Sequence, residues 1–328
     1  MSMTNVKRLA VTPPMLADFP EAFAPLVQRG VEIVFNRGVY PMDAAHLAAF
    51  VGQAQAAVIG LDEISDEFFA RCPNLRIVAR NGVGLDNVDL AAAARYGILV
   101  TVPLGANSTS VAELALGLLI ALARRIVPAH NTVQGGVWRR VQGIELAGKT
   151  LGIVGLGRIG KKVARRAQAF EMQVIANDIA PDLTFAREHS IELLDLPSLL
   201  RRSDVVSLHV PLTPLTLHLF NAEVFGLMKP ESFLINTARG AVVDSVALAN
   251  ALDSGHLRGA ALDVHPVEGA IEPLLAGRDN VITTTHLGAY TAESLYKTTE
   301  MAVDSILQLI DGRRPDGLIA GCDTALEQ

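Results

Sequence analysis

The sequence predicts an α/β protein made of two doubly wound parallel-sheet domains, and three observations predict it. Short apolar runs alternate with helix-like segments along almost the whole chain. A second series of such runs begins at Lys149, after a long helical stretch. The first strand of that second series opens into a glycine-rich turn followed by a helical pattern.

In the first series, residues 9–11, 31–35, 57–59, 75–79 and 98–102 read as strands. Near-continuous apolar runs of strand length fit a parallel sheet covered on both faces. Residues 43–51 and 89–96 read as helices between them. Residues 110–125, rich in Ala and Leu, read as a helix joining the two series. In the second series the strands are 150–154, 173–176, 205–209, 233–236, 259–262 and 281–284. A last helical pattern spans 291–310, and periodicity alone does not say which domain it joins. A chain of 328 residues has room for two ordinary cores.

Composition narrows the function classes. The net charge is −6 with no long basic run, which argues against nucleic acid as a main partner. The longest apolar stretch, 111–123, contains Glu113, runs into Arg124 and Arg125, and is too short to span a bilayer. The start Met1-Ser2-Met3-Thr4 lacks a basic region followed by an apolar one, so no signal peptide is expected. Cys72 and Cys322 form neither a disulfide framework nor a metal-spaced cluster. A reducing cytoplasm and no metal are expected.

The first strand of the second series runs into Gly155-Leu156-Gly157-Arg158-Ile159-Gly160. Gly155 permits a tight turn, Gly157 lets the backbone approach a pyrophosphate, and Gly160 lets helix and strand pack closely. The helix N-terminus offers N–H groups and partial positive charge to phosphates. Alone, such a turn is equally compatible with no ligand. Here, however, Asp178 ends the next strand, 18 residues beyond Gly160, where a carboxylate would accept from a ribose 2′-hydroxyl and repel a 2′-phosphate. Ile179 follows where an Arg would serve NADP. The expected cofactor is NAD.

Hydride transfer at the C2 carbon of a small 2-keto acid needs three things. A cation must hold the carboxylate and polarise the carbonyl, an acid must protonate the alkoxide, and a group must orient that acid. Arg239, Glu268 and His286 follow strands of the second series, at the strand ends where open α/β sheets bind ligands. Taken singly, Arg239 and Glu268 also fit a solvated surface and His286 a packing residue.

Taken together, the segments resemble the D-isomer-specific 2-hydroxyacid dehydrogenase family, which includes phosphoglycerate dehydrogenases and glyoxylate/hydroxypyruvate reductases. The resemblance covers nearly the whole chain. It rests on Asn81-Gly82-Val83-Gly84-Leu85-Asp86-Asn87, on Asn107 with Ser110-Val111-Ala112-Glu113, on the glycine turn, and on His209-Val210-Pro211-Leu212-Thr213. The Arg239, Asp263–Glu268 and His286 segments complete it.

The resemblance implies roles. His286 would be the acid in reduction and the base in oxidation, with Glu268 hydrogen-bonded to it. Arg239 would grip the carboxylate and carbonyl, and the backbone N–H groups of Val83 and Gly84 would hold the other side of the carboxylate. Arg158 and Ile159 would line the pyrophosphate, and Asp263 would meet the nicotinamide amide. Val210, Pro211, Thr237, Ala238 and Gly288 would complete the cofactor cleft. It also implies a Rossmann NAD-binding domain (105–291) and a split flavodoxin-like substrate domain (1–104 plus 292–328), with a cleft between them that closes. A homodimer through the helix near 110–125 and its following loop is implied as well.

Some positions depart from the family pattern. Gly269 follows Glu268 where Pro is common, His265 stands where an aromatic is common, and Thr285 precedes His286 where Pro is frequent. These bear on loop shape and substrate choice. Formate dehydrogenase shares the scaffold but pairs its His with a Gln, whereas Glu268 suits hydroxy-acid chemistry. Phosphite dehydrogenase keeps an Arg–Glu–His set, so an unusual oxyanion stays open as substrate. So does an NAD(H)-sensing corepressor resembling C-terminal binding protein, although only about fifteen residues follow the last helical pattern. Gly60-Leu61-Asp62-Glu63 offers no Arg to a phosphate, and no extra C-terminal regulatory domain is expected. Arg139 and Arg140, after Trp138, read first as a solvated pair, with an anionic substrate tail reached across a dimer as the alternative.

Overall fold

The computed structural model describes residues 4–270 and 272–319; Met1-Ser2-Met3, Cys322 and the segment after the last helical pattern, from residue 320 on, lie outside the described residues. The chain divides into two compact units, Met1–Asn107 with Thr291–Gln328, and Ser108–Tyr290. Both carry an all-parallel sheet with helices on its two faces, so the α/β doubly wound class is the observed one.

In the first unit the strands are β1 (Arg8–Val11), β2 (Glu32–Phe35), β3 (Ala56–Ile59), β4 (Ile77–Arg80) and β5 (Leu99–Thr101). They lie in the order β2-β1-β3-β4-β5. The helices α1 (Ala24–Gln28), α2 (Ala44–Val51), α3 (Asp66–Arg71) and α4 (Leu90–Arg95) connect them. Successive strand residues point to opposite faces, and the core divides accordingly. Ala10, Ala57, Ile59 and Val78 pack with α2 and α3 through Leu47, Val51 and Phe68. Leu9, Val11, Val58 and Ile77 pack on the other face, against Phe23, Leu26 and the terminal helix Ala292–Ile310. That helix turns Ala302, Val303, Ile306 and Leu309 onto the first sheet, a destination its periodicity did not disclose.

The second unit opens with α5 (Ser108–Ala123) and α6 (Ile126–Gln134). Sequence periodicity suggested one helix over 110–125. The helix starts at Ser108 instead, and the chain turns at Arg125, which takes a left-handed φ of 51°. Pro128 supplies the reason. It has no N–H for the i−4 bond of a continuing helix, but in the first turn of a new one that N–H is not needed.

The strands are β6 (Thr150–Val154), β7 (Gln173–Asn177), β8 (Glu192–Leu193), β9 (Val205–Leu208), β10 (Ser232–Asn236), β11 (Leu257–Leu262) and β12 (Val281–Thr283). Helices α7 (Arg158–Ala169), α8 (Leu183–Glu188), α9 (Leu196–Arg202), α10 (Ala222–Leu227) and α11 (Ser245–Asp253) lie between them. The order is β12-β11-β10-β9-β6-β7-β8. Chain direction across the sheet therefore reverses between β6 and β9, the switch point at which open α/β sheets bind ligands beyond their carboxyl ends. Leu118, Leu119 and Leu122 of α5 pack with Ile153, Val205 and Ile235 on one face, and Val154, Val206 and Leu234 serve the other. Among the described residues no helix is long and apolar enough to cross a membrane.

Candidate active site

The glycine turn occupies the β6/β9 switch point. Gly155 has φ +97°, and a Cβ there would lie 2.7 Å from the His209 carbonyl oxygen; a Cβ on Gly160 would strike the Gly155 carbonyl. Only glycine fits both constraints. A Cβ on Gly157 would meet nothing within 4 Å, so the backbone there faces open space at the start of α7, with Arg158 exposed beside it and Ile159 half-buried. Asp178 ends the neighbouring strand. Its carboxylate accepts from the Leu156 N–H at 2.7 Å and the Ala180 N–H at 2.8 Å, which ties Asp178 to the glycine turn. Ile179 is 96 % exposed.

Val210 and Pro211 form the other lip, after β9. The preceding His209 hydrogen-bonds Ser207 Oγ through Nε2 at 2.9 Å, while its Nδ1 is buried without a partner. Burial pushes this imidazole down to about 4, so it stays neutral at ordinary pH. Thr237, just past β10, is buried, and its hydroxyl has no partner among the described residues. Ala238 beside it is buried too. An open glycine turn at a helix N-terminus, a carboxylate on the next strand and an unsatisfied hydroxyl on the opposite lip fit a dinucleotide.

The three expected catalytic side chains follow β10, β11 and β12, which are neighbours in one parallel sheet. Their carboxyl-terminal loops therefore emerge side by side. Asn236 shapes the first loop: its Oδ1 accepts from Ala238 N–H at 3.0 Å and its Nδ2 donates to the Arg239 carbonyl at 2.9 Å. Arg239 is half-buried, and its Nη1 donates to the Ala238 carbonyl at 2.7 Å. A Cβ on Gly240 would lie 2.0 Å from the His265 carbonyl carbon, so this glycine lets the Arg239 turn press directly on the second loop. Sequence reasoning overlooked Asn236. An Asn closing a strand before a turn is an available signal for this side-chain-to-backbone pattern.

Glu268 Oε1 and His286 Nδ1 are 3.0 Å apart, and both side chains keep some exposure. His286 Nε2 makes no hydrogen bond among the described residues. Burial tends to raise the Glu268 carboxyl. The hydrogen bond and charge of His286, with help from His265, outweigh burial and hold the carboxyl below its usual range. His265 donates through Nε2 to the Thr284 carbonyl at 2.9 Å, bracing one loop on the next. Asp263 is 1 % exposed and spends its carboxylate on the third loop. It accepts from Thr284 Oγ1 at 2.6 Å, Leu287 N–H at 2.7 Å and Gly288 N–H at 2.8 Å.

Val83 and Gly84 lie in the first unit, in the turn after β4. Their N–H groups donate to no other described residue. The turn is fixed by Arg80, whose Nη2 donates to Asn87 Oδ1 at 2.7 Å and to the Gly84 carbonyl at 3.3 Å. Two unused adjacent N–H groups are suited to a carboxylate. Among the described residues no group of three or more His, Cys, Asp or Glu side chains is placed to hold a metal ion.

Residues 116–288 match the family model of the D-isomer specific 2-hydroxyacid dehydrogenase NAD binding domain. The chain is 40 % identical to the D-3-phosphoglycerate dehydrogenase of Methanocaldococcus jannaschii over 260 residues, 78 % of this chain and 50 % of that protein. It thus spans about half the length of that relative. It is 37 % identical to the hydroxypyruvate reductase of Thermotoga maritima over 295 residues, 87 % of this chain and 95 % of the relative. Among solved structures, the D-lactate dehydrogenase from Aquifex aeolicus complexed with NAD and lactic acid superposes with a TM-score of 0.80 at 31 % identity, covering 93 % of this chain and 96 % of that one.

Proposed function

The chain belongs to the D-isomer-specific 2-hydroxyacid dehydrogenase family, and from that premise we propose that it moves a hydride between NAD(H) and C2 of a small D-2-hydroxy acid or the matching 2-keto acid. The observation that carries the reading is the Glu268–His286 pair on strand termini next to that of Arg239. Bound nicotinamide supplies or takes the hydride. The protein's own part is to hold the acid and to move one proton.

In reduction, the Arg239 guanidinium draws the carbonyl oxygen's developing negative charge and grips the carboxylate. The unused Val83 and Gly84 N–H groups of the first unit are a further carboxylate contact in this reading. His286, held through Nδ1 by Glu268, presents Nε2 and gives its proton to the new alkoxide; in oxidation it removes that proton. Glu268 holds the ring through Nδ1 and keeps it oriented. Asp263 holds the loop that carries His286. Gly155, Gly157, Arg158, Ile159 and Gly160 take the pyrophosphate, with Val210, Pro211, Thr237, Ala238 and Gly288 along the rest of the cofactor. Asp178 selects NAD over NADP.

A homodimer is part of the reading. Among the described residues α6 buries none of its own, and Ile126, Val133, Val137 and Trp138 are each about half exposed or more. Exposed large apolar side chains of this kind are what a second copy would cover. The free, buried Cys72 suits a reducing cytoplasm.

The deciding experiment is a panel of glyoxylate, pyruvate, hydroxypyruvate and phosphohydroxypyruvate with NADH, followed at the nicotinamide absorbance. Turnover of at least one is expected. Cofactor binding with no turnover of any would favour the NAD(H)-sensing alternative.

A further inference from the structure

The loop that carries Glu268 has little packing of its own to hold it. Val264 is 1 % exposed, but Pro266, Val267, Glu268 and Gly269 all face solvent. Gly269 adds a left-handed φ of +82°, with nothing within 4 Å of the place a Cβ would take, so sterics do not fix the chain there. A cavity behind the loop, lined by Asn236, Gly240, His265, Pro266, Glu272 and Leu275, leaves that side incompletely packed as well. The His286 loop is better anchored. The Asp263 carboxylate holds it, and Thr284 N–H donates to the Leu262 carbonyl at 3.0 Å, so it is tied to the end of β11.

His265 joins the two loops. Its ring Nε2 lies 2.9 Å from the Thr284 carbonyl oxygen, two residues before His286. A carbonyl only accepts, so Nε2 carries the proton. On the Glu268 side, burial works against the ionised carboxylate, His286 favours it most, and the charge and backbone N–H of His265 add to that. The Arg239 loop bears on the same residue, since a Cβ on Gly240 would lie 2.0 Å from the His265 carbonyl carbon. His265 is therefore where the Arg239, Glu268 and His286 loops meet, all of them inside the unit Ser108–Tyr290. Without its ring, alignment of Glu268 with His286 would rest on their own 3.0 Å bond, between two side chains that water reaches.

We propose that His265 is a positioning residue for the proton step: by bonding the Thr284 carbonyl it locks the Glu268 loop to the His286 loop and keeps the carboxylate on Nδ1 of His286. The inference rests on the proposed role of His286 as the acid and base of hydride transfer. A phenylalanine at 265 would fill similar space but has no N–H to give. It would leave the Thr284 carbonyl without this partner and the Glu268 loop free to drift. A proton donor must come within about 3.2 Å of the atom it serves, so a loosely held imidazole spends less time where it can react. The effect of losing the His265 bond therefore falls on turnover, and not on the binding of keto acid or NADH.

The test is His265→Phe and His265→Gln in the full chain, with His265→Phe also combined with Glu268→Gln. In His265→Phe, kcat on a 2-keto acid that the wild type reduces should fall about tenfold, while KM and NADH affinity change by no more than about twofold and a thermal melt shows a folded protein. His265→Gln, which keeps a side-chain N–H, should recover part of the loss. In the Glu268→Gln background, His265→Phe should cost no more than about twofold, since the pair it positions is already broken. Equal losses in the two backgrounds would mean that the ring only supports the fold, and would overturn the proposal, as would an unchanged kcat in His265→Phe. A readout independent of turnover is the imidazole nitrogen NMR spectrum of the histidine-labelled protein. The neutral His286 ring should keep its proton on Nδ1 in the wild type and average between tautomers in His265→Phe; identical His286 signals in the two would also overturn the proposal. A wild type that reduces no 2-keto acid, while its His286 signals still respond to His265→Phe, would sink the hydride-transfer reading and leave the positioning of His286 standing.

Discussion

His286 adopts a left-handed backbone, φ 57°, with its N–H donated to the carbonyl of Asp263 at 2.8 Å. A non-glycine residue there is strained by about 1–3 kcal/mol and stays only where its surroundings fix it. The Asp263 carboxylate provides that fixing, by binding the two N–H groups that follow His286 and the Thr284 hydroxyl. Asp263→Ala should release the turn, leaving these donors unpaired and the imidazole free to relax. A stability loss of about 2–3 kcal/mol is expected by denaturant titration. Turnover measured on the folded fraction should fall by at least about tenfold. Unchanged turnover would detach Asp263 from the positioning of His286.

Arg239→Ala should lose both substrate affinity and turnover, because in the proposed mechanism one guanidinium serves carboxylate and carbonyl. A preorganised charged donor is worth on the order of 3 kcal/mol in the transition state. Arg239→Lys should recover little, since an ammonium lacks the planar fork. Steady-state kinetics, with NADH affinity titrated separately, checks this; NADH binding should change less than kcat/KM for the keto acid. Intact substrate kinetics in Arg239→Ala would remove the residue from the site.

Much of this arrangement was legible in the sequence, and the rest was not, for physical reasons. The strands showed themselves because a sheet buried on both faces demands unbroken apolar runs, such as 150–154. The glycine turn showed itself because its backbone tolerates no side chain at Gly155 or Gly160. Arg239, Glu268 and His286 could be picked out singly, yet their adjacency depends on β10, β11 and β12 being neighbours, which local pattern does not encode. The two-residue β8 is too short to leave a periodicity. The apolar stripe of the terminal helix says that it packs, not on which sheet. The contacts that join Asn87 to Arg80 and to the Asp62 carbonyl were invisible because they link segments distant in sequence. The helix break at Arg125 was readable in Pro128 and was passed over.

Asp178→Ala should weaken NADH use by about tenfold and narrow the gap to NADPH, since in the proposed cofactor site the variant loses the ribose acceptor and the charge that repels a 2′-phosphate. Because Asp178 also takes the Leu156 N–H at 2.7 Å, part of the loss should appear with NADPH as well. Comparing kcat/KM for the two cofactors at subsaturating levels checks both statements. A wild type that uses NADH and NADPH equally would show that the carboxylate does not select.

The exposed apolar surface of α6 and the following loop should be covered in solution. Light scattering at micromolar concentration is expected to give twice the 34.9 kDa chain mass. Val133→Asp combined with Val137→Asp should shift the protein toward monomer, because neither residue is needed for packing within the chain (52 % and 55 % exposed). A wild-type monomer would sink the dimer.

The last prediction treats Glu268 and His286 as one unit. Reduction consumes a proton from the imidazole, so its rate should fall as pH rises; oxidation needs the neutral ring, so its rate should fall as pH drops. Glu268→Gln keeps the shape and removes the charged partner of the ring, so turnover should fall by about tenfold or more in both directions. Glu268 carries a second signature of opposite origin. Its carboxyl is held below the usual range, so ionised Glu268 stabilises the folded chain above that range, and the contribution is lost as pH falls through the lowered value. Acid unfolding below the usual carboxylate range should therefore lose part of its pH dependence in Glu268→Gln. His286→Ala should depress both directions at every pH while leaving NADH binding largely intact. Unchanged turnover in Glu268→Gln, or a His286→Ala variant that keeps most of its turnover, would assign the proton to another group.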